Sequence, residues 1–398
     1  MNASADVPDA IFAEAWRERA ALQPRARIAL LGTGTVGRAV LDRLKSWDGT
    51  ELGERLQLVH VANSRAAITD MDGVNPRQAL AVLRVVPPDG AAPAGTHGHV
   101  PANPSSRRPW PIASSPTAAT SALGSRGRRI IVDATASEAI AEQHASWLAQ
   151  GIHVVTACKL GQGTSLARWK AIRDAAQAGA QYGDSATVGA GLPLLRSLRE
   201  LRAGGDSIHA FAGILSGSLA WLFNHYDGIR PFSALVRQAR DTGYTEPDPR
   251  DDLSGEDVRR KTVILARAAG FEIEPGDVEV DSLVPRELAL LSKEAVDAAL
   301  PALDASLRQR FAEAYKKGEK LRFVARLERG EDGSAHARVG LEALPSDHPL
   351  AAGAGTDNKV AIWSDRYRKQ PLVIQGPGAG ADVTAAGLLD DVLRLAAT

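Results

Sequence analysis

The stretch YTEPDPRDDLSGEDVRRK, residues 244–261, contains six carboxylates and four basic residues with almost no apolar side chain. Pro247 and Pro249 fix their own backbone angles and disfavour helix at the residues before them, so the first half is predicted to be a rigid loop. A carboxylate held on such a loop suits recognition of a substrate ammonium group. Glu246 is the candidate for this role.

A helix is predicted to follow from Ser254 or Gly255, which places Asp257 and Lys261 one turn apart on the same face. On an exposed surface such a pair would contribute only a few tenths of a kcal/mol. The apolar run at residues 263–266 instead predicts that the helix enters a core and that Lys261 is partly buried. A partly buried lysine beside carboxylates suits proton transfer to or from a substrate oxygen. Next to a nicotinamide, these groups predict hydride transfer to the carbonyl of an amino-acid-like substrate.

The segment RIALLGTGTVGRAV predicts a strand, a glycine-rich turn and the start of a helix. In this pattern Gly32 permits the tight turn, Gly34 lets the backbone approach a pyrophosphate, and Gly37 lets helix and strand pack closely. The amides at the start of the helix, at Thr35 and Val36, would face the phosphates. A turn without a phosphate is the alternative, and the strand–turn–helix context favours dinucleotide binding.

A second strand, QLVHVANS over residues 57–64, is predicted to end where an NAD site carries an acidic residue for the ribose hydroxyls. This chain has Asn63, Ser64 and Arg65 there, which are neutral donors and a cation suited to a 2′-phosphate. The sequence therefore favours NADP over NAD. Use of both cofactors, or a solvated polar loop, are the alternatives.

Residues 87–127 are rich in Pro, Gly, Ser and Ala and lack hydrophobic periodicity. This composition predicts a mobile insertion. His97 and His99 could bind a metal ion, but no partner cluster accompanies them, so a solvated loop is favoured.

Regular structure is predicted to resume with RIIVDATAS, a buried strand of the parallel type. Its polar end carries Asp133, Thr135 and Ser137 at the sheet edge where ligands bind in open α/β folds. A helix at 138–149 and a strand in HVVTACK are predicted to follow. The alternation of strands and helices indicates a doubly wound domain.

The central region mixes both kinds of element. A helix is predicted over 164–179, and the strand SIHAFAGIL leads into a helix opened by Ser216, Gly217 and Ser218. LRFVARL and AHARVGL flank residues 330–333 as a hairpin. The C-terminal segment GPGAGADVTAAGLLDDVLRL is a glycine-rich turn that enters an amphipathic helix, which is predicted to return to the first domain.

These elements predict an α/β fold with a Rossmann-type doubly wound nucleotide domain and an inserted α+β mixed-sheet domain for substrate binding and dimerisation. The predicted boundaries are 1–158 for the nucleotide domain, 159–376 for the inserted domain and 377–398 for the returning helix. A chain of 398 residues with 44% hydrophobic content can bury the cores of two such domains.

The charge balance excludes some classes of partner. The 47 basic and 47 acidic residues cancel, which leaves no electrostatic footprint for nucleic acid or an anionic membrane surface. The start of the chain lacks the apolar run of a signal peptide, and no stretch approaches the roughly 20 apolar residues of a membrane span. A single cysteine, Cys158, excludes an internal disulfide framework. A cytoplasmic protein is predicted.

The segment ARDTGYTEPDPRDDLSGEDVRRK resembles the signature of the homoserine dehydrogenase family, with its Gly-Tyr, Glu-Pro-Asp-Pro, Asp-Leu-x-Gly-x-Asp and final Lys. TVGAGLPLL, GILSGSLAWLF and GAGADVTAAG resemble the family's other blocks in the right order, so the likeness covers most of residues 27–396. It implies NADP- or NAD-dependent interconversion of L-homoserine and L-aspartate 4-semialdehyde, in the route to threonine, methionine and isoleucine.

The resemblance also implies catalytic and cofactor-binding roles. Lys261 looks like the general acid/base at the alcohol oxygen, and Lys159 looks like a second catalytic lysine beside the nicotinamide. Thr135 would also meet the nicotinamide, while Gly378 and Gly380 would close over the cofactor. The family usually has Asn-Lys-Lys where this chain has Cys-Lys-Leu around Lys159.

For the substrate and a cation, the resemblance implies two further sets of residues. Glu246 and Asp257 would hold the substrate's amino group, and its pocket would be completed by Asp252, Tyr244, Gly217 and Ser218. A monovalent cation, usually sodium, would bind the backbone carbonyls of Val188, Ala190 and Leu192. The family usually has an acid three residues before the valine, where this chain has Ser185, with Asp184 one step further off.

Two other functions are weighed against this one. Cys158 could be the nucleophile of an acylating dehydrogenase of the aspartate-semialdehyde type, although nothing around it supplies a histidine base. A non-catalytic nucleotide-binding protein is the other alternative, and the presence of both lysines and both substrate carboxylates argues against it. The 26 residues before Arg27 are too few for the kinase of bifunctional relatives, which predicts a monofunctional enzyme weakly inhibited by threonine. The resemblance suggests a homodimer.

Overall fold

The computed structural model describes residues 25–85, 112–113 and 115–397. The chain divides into two compact units. The first takes in the chain up to Thr156, residues 172–183 and the segment from Leu388 onward, and the second takes in residues 157–171 and 184–387. His97 and His99 lie outside the described residues.

The first unit contains a seven-stranded sheet in the order β4-β3-β2-β1-β5-β6-β7. The strands are β1 (Ala26–Leu31), β2 (Leu56–Ala62), β3 (Ala66–Thr69), β4 (Ile112–Ala113), β5 (Arg129–Asp133), β6 (His153–Thr156) and β7 (Tyr182–Gly183). Neighbouring strands pair in parallel along the run β2-β1-β5-β6-β7. At one edge of the sheet, β3 pairs antiparallel with β2, and β4 pairs antiparallel with β3. The apolar runs of β1, β2 and β5 are buried along almost their whole length, as expected for strands covered on both faces.

Helices alternate with these strands, which confirms the doubly wound prediction. They are α1 (Thr35–Ser46), α2 (Glu51–Glu54), α3 (Pro76–Val85), α4 (Pro116–Leu123), α5 (Glu138–Ala141), α6 (His144–Ala149) and α7 (Leu166–Gln177). The helix predicted over 138–149 is divided into α5 and α6 at Glu142 and Gln143, although the backbone of both residues stays in the right-handed helical region.

The predicted mobile insertion over 87–127 differs from the structure at its C-terminal end. Residues 116–123 form α4, whose N-terminus is capped by the Ser115 hydroxyl and opened by Pro116. Ala119, Ala122 and Leu123 are buried in the core of the first unit, so packing orders a segment that its composition suggested was a loop. Residues 87–111 and 114 lie outside the described part of the chain.

The second unit contains a six-stranded mixed sheet in the order β13-β12-β8-β10-β11-β9. The strands are β8 (Ile208–Ile214), β9 (Val278–Val280), β10 (Lys320–Arg329), β11 (Ala335–Leu344), β12 (Asn358–Ser364) and β13 (Leu372–Gly376). All neighbours pair antiparallel except β9 and β11. The predicted hairpin is confirmed, because β10 and β11 pair along their full length on either side of residues 330–333.

The helices of the second unit pack with this sheet around a large apolar core. They are α8 (Leu194–Ala203), α9 (Gly217–His225), α10 (Phe232–Asp241), α11 (Arg250–Leu253), α12 (Glu256–Ala269), α13 (Arg286–Ala289), α14 (Lys293–Ala299) and α15 (Asp304–Lys316). The chain ends with α16 (Ala381–Ala397), whose last residues group with the first unit. No helix within the described ranges has the length and apolar character needed to cross a bilayer.

Candidate active site

A carboxylate lies between two lysines in the second unit. Lys261 Nζ is 2.8 Å from one carboxylate oxygen of Asp257, and Lys159 Nζ is 3.4 Å from the other. Lys261 also donates a hydrogen bond of 2.7 Å to the Leu215 carbonyl. The side chain of Lys261 is 12% exposed, in line with the predicted partial burial, and that of Lys159 is 32% exposed.

The start of α12 explains how this cluster is positioned. Gly255 precedes the helix with φ 78°, and a side chain there would also approach the Phe323 ring to 3.0 Å. Residues 263–266 are fully buried, which fixes the rotation of α12 and directs Asp257 and Lys261 toward the end of β8. The helix predicted to start at Ser254 or Gly255 begins at Glu256, with Gly255 as its N-cap.

The electrostatics favour an ionised Asp257. Burial alone would raise the pKa of this carboxyl, but the charges and hydrogen bonds of Lys261 and Lys159 outweigh that effect and hold the pKa well below its usual range. Both lysines therefore face a fixed negative charge. The sequence predicted the Asp257–Lys261 pair but not that Lys159 shares the same carboxylate.

Asp252 connects the acidic loop, defined as residues 244–253, to the start of α9. Its carboxylate accepts a 2.7 Å hydrogen bond from the Ser218 hydroxyl and a 2.8 Å hydrogen bond from the Glu246 amide. Burial raises the pKa of Asp252, while these two hydrogen bonds oppose the rise. Asp252 thus fixes the backbone at Glu246, whose own side chain is exposed.

The loop prediction for the two prolines needs one correction. Residues 250–253 form the single turn α11, because Pro249 already has helical backbone angles, with φ −64° and ψ −13°. The preceding part of the loop is held by ring stacking, since Tyr244 lies 5.0 Å from Trp221 and nearly parallel to it. Trp221 in turn stacks on His225 at 4.3 Å. These two aromatic residues of α9 were missed, although SGSLAWLFNH contains them.

Gly217 lies at the start of α9, where the helix is capped by the Ser216 hydroxyl, which accepts a hydrogen bond from the Leu219 amide. A side chain at Gly217 would come within 3.3 Å of the Thr356 carbonyl, so the backbone passes close to residues before β12. The structure therefore brings the start of α9, the acidic loop and the start of α12 together within the second unit. All six predicted substrate-pocket residues lie on these three segments.

The glycine turn of the first unit fits a dinucleotide. A side chain at Gly37 would come within 1.9 Å of the Gly32 carbonyl, and one at Gly32, which has φ 97°, would come within 2.7 Å of the Ala134 carbonyl. A side chain at Gly34 would meet no protein atom within 4 Å. Gly32 and Gly37 are therefore needed for packing, whereas the open space beside Gly34 suits the approach of a pyrophosphate at the start of α1. Thr35 and Val36 form the first turn of that helix.

The polar residues after β2 divide into two kinds. The Asn63 side chain accepts hydrogen bonds from the amides of Arg65 and Ala66 and donates to the Thr33 hydroxyl, so it shapes the loop. Ser64 and Arg65 are exposed. Thr135 follows β5 and contacts Gly32, since a side chain at Gly32 would meet the Thr135 methyl group at 3.0 Å.

The glycine-rich turn before α16 packs within the second unit. A side chain at Gly378 would overlap the side-chain amide of Asn358, with 1.9 Å to its oxygen, and Gly380 has φ 116°. Gly378 is therefore required for packing against β12, and Gly380 for a backbone conformation that other residues rarely adopt. Asn358 is buried and was not a sequence-predicted site residue.

The residues predicted to hold a cation form a tight loop before α8. Ala190 has φ 53°, which is unusual for a residue with a side chain, and its neighbour Gly189 has φ 77°. The Leu192 carbonyl accepts a hydrogen bond from the Leu194 amide. The nearest acid, Asp184, is buried and engaged by both terminal nitrogens of Arg199, at 2.5 and 2.6 Å. Within the described ranges no group of three or more His, Cys, Asp or Glu side chains is placed to hold a metal ion.

Cys158 is 2% exposed, which is typical of a cysteine that packs as a small apolar residue. Its neighbour Lys159 points to Asp257. The geometry gives no support to a thiol nucleophile at this position.

The parallel sheet with its glycine turn and the lysine–carboxylate–lysine cluster define a class of protein, the two-domain oxidoreductases that bind a dinucleotide. The family comparisons are specific within that class. Residues 32–182 match the model described as homoserine dehydrogenase, NAD binding domain, and residues 193–393 match the model described as homoserine dehydrogenase. The chain belongs to the homoserine dehydrogenase family.

Individual relatives agree with this assignment. The chain is 46% identical over 268 residues to bifunctional aspartokinase/homoserine dehydrogenase 2 of Escherichia coli, covering 67% of this chain and 33% of that protein. It therefore spans about a third of the length of such bifunctional relatives. It is 39% identical to a homoserine dehydrogenase of Emericella nidulans, covering 70% of this chain and 78% of that one.

A solved structure has the same fold. A mutant hyperthermophilic archaeal homoserine dehydrogenase in complex with NADPH aligns with a TM-score of 0.69 at 20% identity. The alignment covers 93% of this chain and 97% of that one.

Proposed function

We propose that the protein interconverts L-homoserine and L-aspartate 4-semialdehyde with a nicotinamide cofactor. The observation that carries this proposal is the position of Asp257 between Lys261 and Lys159. A lysine pair around one fixed carboxylate provides both a proton donor and positive charge where a substrate oxygen changes between carbonyl and alcohol. The family and the relatives named above support the same reaction.

Lys261 is the proposed general acid/base. An ammonium group has three N–H donors, and the contacts with Leu215 and Asp257 use two of them. We assign the third to the substrate's reacting oxygen, to which Lys261 gives a proton in the reduction and from which it takes one in the oxidation. Lys159 helps to orient that oxygen and adds positive charge.

Glu246 is the proposed partner of the substrate ammonium. Asp257 is already shared by two lysines, and both oxygens of Asp252 accept hydrogen bonds from Ser218 and Glu246. Within the described chain, the Glu246 carboxylate makes no such contact, so it can bind an ammonium without losing an existing partner. Asp257 then acts mainly on the lysines, and Asp252, Tyr244, Gly217 and Ser218 shape the pocket.

The nicotinamide cofactor supplies or accepts the hydride when bound. The glycine turn would hold its phosphates, with Gly34, Thr35 and Val36 at the pyrophosphate. NADP is the favoured form because Ser64 and Arg65 are exposed in the loop after β2, where a 2′-phosphate would lie. In this proposal Thr135 and Lys159 meet the nicotinamide, and the turn with Gly378 and Gly380 closes over the cofactor.

Several finer features belong to the same proposal. A sodium ion would bind the carbonyls of Val188, Ala190 and Leu192. The protein would form a homodimer through the mixed sheet, with domain boundaries at 158 and 376. It would be cytoplasmic and would contribute to the synthesis of threonine, methionine and isoleucine. The unusual backbone of Ala190 supports the cation, because such conformations are often retained at ligand sites.

The test is an absorbance assay of purified protein with L-homoserine, using NADP⁺ and NAD⁺ in parallel at alkaline pH. Reduced cofactor that appears only with homoserine supports the proposal, and the ratio of rates gives the cofactor preference. If the cofactor is not reduced with homoserine but is reduced with aspartate semialdehyde in the presence of phosphate, the result would indicate a thiol mechanism at Cys158 instead. Cofactor binding without turnover of any small aldehyde would indicate a non-catalytic nucleotide-binding protein.

A further inference from the structure

The carboxylate of Asp133, at the end of β5, is fully buried and accepts four hydrogen bonds. Its first oxygen accepts from the Thr135 amide at 2.9 Å and the Thr135 hydroxyl at 2.7 Å. Its second oxygen is 3.1 Å from both His144 Nε2 and the Thr156 hydroxyl. A buried carboxylate is costly unless it is paired in this way, so the arrangement is a built network.

His144 extends this network to a third strand. It is fully buried, and its Nδ1 lies 2.9 Å from the Tyr182 hydroxyl on β7. Asp133 can only accept from Nε2, so in the neutral imidazole Nδ1 accepts the proton of Tyr182. The orientation of the Asp133 carboxylate is therefore fixed from β6 by Thr156 and from β7 by Tyr182 acting through His144.

This network fixes the hydrogen-bonding polarity of Thr135. A hydroxyl has one proton and two lone pairs, and Thr135 gives its proton to Asp133. One lone pair accepts from the Ser137 amide at 3.1 Å. The hydroxyl can then offer a ligand only an acceptor. Thr135 is half-buried beside Gly32, at the glycine turn that would carry the dinucleotide.

We infer that Thr135 selects the nicotinamide by accepting a hydrogen bond from its carboxamide NH₂, and that Asp133 is the positioning residue that imposes this polarity. The inference rests on the proposed function, in which Thr135 meets the nicotinamide. A carboxamide carries both a donor and an acceptor, so a site that can only accept distinguishes it from a ring substituent with a carbonyl alone.

The test compares dissociation constants of NADP⁺ and its 3-acetylpyridine analogue, measured by calorimetry without substrate. The analogue keeps the carbonyl and has a methyl group in place of NH₂. Wild-type protein should bind NADP⁺ about 3- to 10-fold more tightly, the range expected for one hydrogen bond. Thr135→Val should remove this difference by weakening NADP⁺ alone, and Thr135→Ser should restore it. Thr117→Val, on the exposed face of α4, is the matched control.

Asp133→Ala tests the origin of the polarity. Without the carboxylate, the Thr135 hydroxyl no longer gives its proton to residue 133 and can turn it toward a ligand, so the preference for NADP⁺ should fall to about onefold. If this variant does not fold, the Thr135 variants still decide the polarity. Equal weakening of both cofactors by Thr135→Val, or no weakening of either, would overturn the inference. Because binding is measured without substrate, failure of the homoserine reaction would be seen separately in the absorbance assay.

Discussion

The Asp257 carboxylate lies 2.8 Å from the ammonium of Lys261, one turn further along α12. A second lysine, Lys159, reaches the same carboxylate at 3.4 Å from a loop almost a hundred residues earlier in the chain. Without Lys159, the contact between Asp257 and Lys261 would be an ordinary i, i+4 ion pair on a helix surface. With the second lysine and the Leu215 carbonyl, it becomes a fixed arrangement of charges at the end of β8.

Asp257→Asn should lower kcat because both lysines lose the charge that holds them. It should also change the pH dependence of stability. The pKa of Asp257 is lowered in the folded protein, so its contribution to the free energy of unfolding is present above about pH 4 and is lost as the pH falls through the folded value. The side chain is 44% exposed, which limits this contribution to at most about 1 kcal/mol. Urea unfolding of both proteins should show the full difference at pH 7 and a smaller one at pH 3, where the pH lies between the unfolded and the folded pKa of Asp257.

Lys261→Ala should lower kcat by roughly 10²- to 10⁴-fold, the usual contribution of a general acid/base. The KM for homoserine should change much less, since the lysine acts on the reacting oxygen. Steady-state kinetics with homoserine would measure both constants. Lys316→Ala, at the exposed end of α15, is the control and should match the wild type. Near-normal turnover of Lys261→Ala would remove this lysine from the role.

Glu246→Gln should raise the KM for homoserine by about 10- to 100-fold, the effect of losing one charge-assisted hydrogen bond to the ammonium. Since Glu246 contacts the substrate only through that group, kcat should fall less. The matched control is Glu256→Gln, which removes an exposed carboxylate paired with Arg259 at the start of α12. An unchanged KM in Glu246→Gln would exclude the proposed ammonium contact.

Gly34→Ala and Gly37→Ala should have different effects. A methyl group at Gly34 meets open space in the protein, so the melting temperature should hold while cofactor binding weakens about tenfold or more. A methyl group at Gly37 would overlap the Gly32 carbonyl, so the first unit should lose stability whether or not a cofactor is added. Thermal melts with and without NADP⁺ would distinguish them, and equal destabilisation would contradict the separate roles.

Arg65→Ala should weaken the binding of NADP⁺ about tenfold and leave the binding of NAD⁺ almost unchanged, because only NADP⁺ carries the 2′-phosphate. Comparison of kcat/KM for the two cofactors would measure this effect. Arg77→Ala removes another exposed arginine of the first unit and serves as the control. A parallel loss with both cofactors would mean that Arg65 does not contact the 2′-phosphate.

Local sequence patterns determined much of this protein. Three features depend on interactions between residues close in the chain: the strand–glycine turn–helix of residues 27–40, the hairpin of β10 and β11, and the start of α12 just after Gly255. The acidic signature similarly pointed to the homoserine dehydrogenase family. For α4, local composition suggested a mobile segment, and burial of Ala119, Ala122 and Leu123 decided otherwise.

The sequence by itself identified Lys159, Asp257 and Lys261 as candidates. Only the tertiary structure brings Lys159 to the Asp257 carboxylate, which Lys261 also contacts. Likewise, Asp133 and Thr135 are neighbours in sequence, whereas the other members of that network come from distant elements: His144 from α6, Thr156 from β6 and Tyr182 from β7. The physical reason is the range of the interactions. Helix starts, turns and hairpins follow from neighbouring residues, while shared charges and buried hydrogen bonds depend on which distant segments the two cores bring into contact.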